Sequence, residues 1–234
     1  MNPGFLISSY PRCGTHMLVS ALQKHPDLTV HGEVFCPTAI DGDHGITETS
    51  KVLGEFWDGP MTGFAAHAYI GRHNRVFKAN PRIFGDLWQK LPKNIPVISL
   101  RRKDLLARHV SHLRAQKQKD WVRFSGRGNK RFTVKVDPTR LKTDAQDVKE
   151  CWRKVDVEYP NREVVFYEDL VHNWEETIAR VLDAIGCDRA ELSPETQRQN
   201  PPFVLTEDVK NFEQIHQWRS AKSSRKQLLD GTVA

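Results

Sequence analysis

The chain has 234 residues, 38% hydrophobic and 27% charged, with 35 Lys and Arg against 29 Asp and Glu for a formal charge of +6. That length buries a core without disulfides or metals, so a single domain is expected, and the positive balance favours an anionic partner. No apolar run approaches the ~18 residues of a membrane span, and Cys13, Cys36, Cys151 and Cys187 lack the close pairing of zinc or redox sites, so no metal is expected.

Met1-Asn2-Pro3-Gly4 carries neither a basic segment nor a cleavage site, which reads as no secretory signal and a cytoplasmic setting. Phe5-Leu6-Ile7 is a short β-type run. After the loop from Ser8 to Gly14, the spacing of Leu18, Ala21 and Leu22 predicts a helix that His25-Pro26 stops. Leu28 to Val30, Val76 to Lys78, Val97 to Leu100 and Val164 to Tyr167 read as further strands.

Helical spacing returns at Leu106, Val110 and Leu113, at Val148, Trp152 and Val155, and from Trp174 to Ile185, where Gly186 is placed to close the helix. Strands alternating with amphipathic helices predict an α/β fold, a P-loop-like doubly wound and mainly parallel sheet flanked by helices. Ligands of such sheets sit beyond the carboxyl ends of the strands, where the Ser8 to Gly14 loop would lie. Residues 1–218 read as the domain and 219–234 as a polar tail. Two stretches, 41–63 and 116–140, the second with eight Lys or Arg, read as loops.

The nine residues Ser8-Ser9-Tyr10-Pro11-Arg12-Cys13-Gly14-Thr15-His16 link the first strand to the first helix. Backbone N–H groups at a helix N-terminus attract anions, Gly14 permits close approach, Thr15 and His16 offer side-chain donors, and Arg12 adds a permanent cation. The Walker pattern is missing, since position 9 is Ser and no Lys follows Gly14, which disfavours an ordinary ATPase or kinase.

The string resembles the 5′-phosphosulfate loop of sulfotransferases that use 3′-phosphoadenosine 5′-phosphosulfate (PAPS), which runs Tyr-Pro-Lys/Arg-Ser-Gly-Thr-Thr/Ser. Cys13 replaces the usual Ser, and His16 the second hydroxyl residue. The Arg at position 12 resembles the carbohydrate-modifying branch of the family. The resemblance implies that Arg12, Cys13, Gly14, Thr15 and His16 bind the phosphosulfate, without a metal.

Downstream, Val97 to Leu100 leads into Arg101-Arg102-Lys103-Asp104 and a helix bearing Ser111, which resembles the family's 3′-phosphate motif. Arg101 and Ser111 are the matching ligands, with Arg102 the alternative in the other register. The double Arg is similar to bacterial nodulation-type sulfotransferases. Tyr167-Glu168-Asp169-Leu170 resembles a family segment with a structural role, and Gln199-Asn200-Pro201 and Glu207 to Phe212 resemble a region that closes over the nucleotide.

Cytosolic relatives use a His in a Lys-Thr-His segment, whereas Val76-Phe77-Lys78-Ala79-Asn80 keeps only the Lys. His31-Gly32-Glu33-Val34-Phe35 resembles the Gly-Glu-Pro-like segment of bacterial carbohydrate sulfotransferases, which makes Glu33 the expected base and His31 the reserve. Arg12 and Lys78 would then stabilise the transferring group. His67, His73 and His109 lack metal spacing and read as surface or core residues.

The resemblance implies sulfuryl transfer to a hydroxyl or amine of a small-molecule or glycan acceptor, with neither nucleic acid nor membrane span. Two other readings stand beside it: a P-loop kinase-like phosphotransferase, and a basic nucleic-acid-binding protein built on residues 116–140.

Overall fold

The computed structural model describes residues 4–33, 61–67, 91–118, 133–194 and 205–217. In chain order the elements are β1 (Phe5–Ser9), α1 (Thr15–Leu22), β2 (Thr29–Glu33), β3 (Thr62–His67), β4 (Val97–Arg101), α2 (Leu105–Gln118), α3 (Pro138–Glu158), β5 (Glu163–Phe166), α4 (Tyr167–His172), α5 (Trp174–Ile185) and α6 (Leu205–Asp208). The five strands form one sheet in the order β2-β3-β1-β4-β5 with every pair parallel. The expected doubly wound α/β domain is the observed one.

All five residues of β1 and all five of β4 are buried, as a parallel sheet covered on both faces requires. The main core joins Phe5, Leu6, Ile7, Ile98 and Leu100 of these strands to Leu18 and Leu22 of α1 and Val181 and Leu182 of α5. Gly186 closes α5 in the left-handed conformation (φ 82°), donating to the carbonyls of Leu182 and Asp183. Asp137 caps α3 through the amides of Thr139 and Arg140, and Pro138 takes the first helical position.

Some sequence boundaries move. The stretch 41–63 ends inside β3, so Thr62 and Gly63 are strand residues, and β3 itself is an element that the sequence reading did not contain. Within 116–140, residues through Gln118 continue α2 and Pro138 already begins α3. Val134 and Val136 are buried with Leu106, Val110, Leu141, Val209 and Ile215 in a second core. There Val134 pairs with Val209, and the Asn211 side chain both donates to and accepts from the backbone of Val136. Val76 to Lys78, Gln199 to Pro201 and the 219–234 tail lie outside the described residues.

Among the described residues, one group of potential metal ligands meets, His25, Asp27 and Cys187, where α1 and α5 end at the edge of the sheet opposite the Ser8 to Gly14 loop. The His25 ring is engaged there by the Asp188 carbonyl (2.9 Å) and by the Asp27 amide (3.2 Å). No helix among the described residues is long and apolar enough to cross a membrane.

Gly63 stands opposite Phe5 in the β1–β3 register, and a Cβ on it would lie 2.4 Å from the Phe5 ring. Gly63→Ala therefore overpacks the centre of the sheet, with an expected loss of about 1–3 kcal/mol in urea denaturation. An unchanged midpoint would contradict the β1–β3 pairing.

Candidate active site

Because the strands are parallel, their last residues share one edge of the sheet. Those residues are Ser9, Glu33, His67, Arg101 and Phe166. The site is built on this edge, in keeping with the rule for open α/β sheets.

The loop between β1 and α1 turns through two left-handed residues, Arg12 (φ 70°) and Gly14 (φ 97°). Arg12 is the only non-glycine with positive φ among the described residues, a conformation that costs an ordinary side chain on the order of 1 kcal/mol or more. Two guanidinium groups hold the turn from behind. Arg102 donates to the Arg12 carbonyl (3.1 Å) and Arg108 to the Pro11 carbonyl (3.1 Å). Arg108 is fully buried, paired with Asp144 and set over the Tyr10 ring, while Arg102 lies over the Tyr167 ring at 4.4 Å.

Gly14 is the N-cap of α1 and brings no side chain to the first turn, which also contains no acidic residue. The first helical return is from the Leu18 amide to the Gly14 carbonyl (3.1 Å), so the amides before it belong to the end of the helix that draws anions. The start of α2 is different. Asp104 accepts from the Ala107 amide, and the two oxygens of Glu168 accept from the amides of Lys103 and Asp104. Asp169 pairs with the Lys103 ammonium (2.7 Å). The Tyr167-Glu168-Asp169 segment thus clamps the start of α2, and the carboxylates missing at α1 are present there.

Of the expected phosphosulfate residues, Cys13 is fully buried in the main core, and burial pushes its thiol up to about 11. It stays neutral, and only its backbone faces the loop's chemistry. Thr15 is also buried and donates to Ser9 Oγ (3.0 Å). His16 is 41% exposed, with Nε2 3.7 Å from Glu33.

The two 3′-phosphate candidates separate. Arg101 is drawn to Asp156 of α3 and to Ser99 Oγ, whereas Arg102 stands against the loop. Ser111 accepts from Arg12 Nε at 3.0 Å, so a residue of α2 and the loop arginine meet across 99 positions of sequence.

Glu33 ends β2 just after a register irregularity. His31 pairs with Phe64 and Glu33 with Ala65, leaving Gly32 as the extra residue of a bulge that re-aims the carboxylate. His67 Nε2 lies 2.8 Å from Glu33 Oε1, and its Nδ1 lies 2.9 Å from Ser9 Oγ. His67 is buried with both ring nitrogens engaged, which agrees with its reading as a core histidine, and the unread strand β3 brings it to the carboxyl edge beside Glu33. His109 is a core residue paired with Asp144 (2.8 Å), and Lys78 and His73 lie outside the described residues. His31 is on β2, partly buried.

Glu33 is mostly buried, which alone would raise its pKa. The charge and hydrogen bond of His67, with His16 and Arg12 beyond, outweigh burial and hold it down at about 2.

The chain matches in fold a sulfotransferase from Alicyclobacillus acidocaldarius, over 100% of this chain and 98% of that one, with a TM-score of 0.51 and 13% sequence identity. At that identity the likeness establishes the fold. No family model and no curated protein sequence matches the chain.

A carboxyl group held below its unfolded value of about 4.5 stabilises the fold above that pH and loses the contribution as pH falls toward 2. Between about pH 5 and pH 2 the wild type should lose on the order of 3 kcal/mol more than Glu33→Gln in urea denaturation. Parallel pH dependence of the two proteins would show that Glu33 is not held by its neighbours.

Proposed function

We propose that the protein transfers a sulfuryl group from PAPS to a hydroxyl or amine of an acceptor, by in-line displacement at the carboxyl edge of the sheet. The observation that carries this reading is the uncapped N-terminus of α1 behind a left-handed Arg12-Cys13-Gly14 turn, backed by Arg102 and Arg108 and met by Ser111. A dianionic phosphate suits such a place.

In this reading the loop amides, Thr15 and His16 take the 5′-phosphosulfate. Ser111 and an arginine of the Arg101-Arg102 pair take the 3′-phosphate, and the placement of Arg102 beside the loop favours it over Arg101. The acceptor oxygen attacks sulfur as the bond from sulfur to the phosphate oxygen breaks. The electron pair and charge pass to the departing adenosine 3′,5′-bisphosphate, where Arg12 and the helix N-terminus meet them.

Glu33 takes the acceptor's proton. A carboxylate held near 2 is ionised throughout the neutral range, and a weak base suffices because the acceptor O–H acidifies as its oxygen bonds to sulfur. Lys78 is the proposed second cation on the sulfuryl oxygens. The acceptor belongs with residues 41–60 and 119–132, the parts of the two stretches outside the described residues, and the basic second stretch suits a carbohydrate or glycolipid bearing acidic groups. Among the described residues, the buried Cys13, Cys151 and Cys187 form no disulfide, which fits a cytoplasmic setting.

Calorimetric titration with adenosine 3′,5′-bisphosphate and with 5′-AMP, both without magnesium, tests this reading. Binding should favour the bisphosphate at least tenfold. Arg12→Gly, which accepts the left-handed backbone but removes the cation, should weaken it by roughly ten- to a hundredfold without lowering thermal stability, and Ser111→Ala and Arg102→Ala should narrow the preference over 5′-AMP. Equal affinity for the two nucleotides would sink the assignment in favour of a kinase-like phosphotransferase. Salt-dependent oligonucleotide binding without bisphosphate affinity would favour a nucleic-acid-binding protein.

A further inference from the structure

We infer that His67 is a positioning residue for this transfer: it holds the Glu33 carboxylate in place and ties it, through Ser9, to Thr15 of the anion-binding loop. The inference rests on the proposed phosphosulfate site with Glu33 as its base.

Three neighbouring strands make the link. In the order β2-β3-β1, their last residues are Glu33, His67 and Ser9, and Ser9 and His67 are direct register partners. The separations run 3.0 Å from Thr15 Oγ1 to Ser9 Oγ, 2.9 Å from Ser9 Oγ to His67 Nδ1, and 2.8 Å from His67 Nε2 to Glu33 Oε1. Thr15, Ser9 and His67 are all buried, which strengthens such a chain.

Thr15 donates to Ser9, and a proton on His67 Nε2 is donated to the carboxylate. At its other nitrogen the ring meets the Ser9 hydroxyl, which accepts from Nδ1–H or donates to a bare Nδ1 as the proton count of the ring requires. Other groups also face Glu33: His16 from α1 and Arg12 from the loop, while His112 of α2 lies within electrostatic reach of His67. His67 makes a shorter contact than His16 (2.8 Å against 3.7 Å) and comes from a separate strand, so it fixes the direction of the carboxylate.

The chain also connects the two substrates. Thr15 is the first residue of α1, and a phosphate that accepts its proton takes that donor away from Ser9. Occupancy of the loop is thereby felt at His67 Nδ1 and passed to the Glu33 carboxylate.

Nuclear magnetic resonance of the histidine ring nitrogens and of the glutamate carboxyl carbons tests this without an acceptor. In the wild type, the proton between His67 and Glu33 should reside on Nε2, and Glu33 should titrate at about 2. In His67→Ala, Glu33 should titrate at least one pH unit higher; His67→Gln, which retains a donor near the Nε2 position but carries no charge, should restore only the hydrogen-bond part of the difference. Adenosine 3′,5′-bisphosphate should move the His67 Nδ1 resonance in the wild type, with the movement much reduced in Thr15→Val and Ser9→Ala.

If calorimetry shows the bisphosphate bound while Nδ1 does not move, or if Glu33 titrates alike with and without His67, the positioning role is overturned and the phosphosulfate reading stands. Failure of the bisphosphate to bind the wild type overturns that reading, and the link to the loop with it, even where Glu33 still depends on His67. Should His67→Ala not fold, the comparison of Thr15→Val and Ser9→Ala with wild type decides the matter.

Discussion

The loop between β1 and α1 keeps its shape because two guanidinium groups hold its carbonyls. Arg102 and Arg108 donate to Arg12 and Pro11 in turn, and the backbone between them passes through two left-handed residues. Strain at Arg12 persists because charge-assisted hydrogen bonds from buried arginines offset it. With those carbonyls turned back toward the arginines, the helix start beyond Gly14 is left to its amides. The site thus depends on α2 as much as on the loop, since Arg108 and Ser111 both come from that helix.

Charge is distributed unevenly between two neighbouring helix starts. At α2, Asp104 and Glu168 satisfy the amides and offset Arg102 and Lys103. At α1, nothing acidic lies in the first turn, and the nearest carboxylate in the site, Glu33, is engaged by His67. Arg108 is neutralised by Asp144 and Arg101 by Asp156, so these two serve architecture. The helix dipole and Arg12 are positive features at the loop.

Much of this was legible in the sequence. A β-type run, a Gly-containing loop and a helical repeat occupy consecutive residues, so Phe5 to Leu22 could be read from local pattern alone, and Gly186 marked the end of α5 for the same reason. β3 could not be read that way. Its sequence, Thr-Gly-Phe-Ala-Ala-His, is rich in small residues with weak β preference, and its strand character comes from pairing with β1 and β2 on both sides. The place of His67 beside Glu33 was missed with it. Val134 and Val136 were hidden among basic residues, although their alternation with Lys135 was a faint strand signal. The Glu33–His67 contact follows from strand order and a bulge, and neither is a local property.

The crystal structure of the protein with adenosine 3′,5′-bisphosphate tests the central claim most directly. The 5′-phosphate should lie on the amides that open α1, within hydrogen-bond distance of Thr15, with the 3′-phosphate against Ser111 and Arg102. A nucleotide bound elsewhere, or one whose 5′-phosphate leaves the α1 amides uncontacted, would contradict the assignment of this loop as the sulfuryl-donor site.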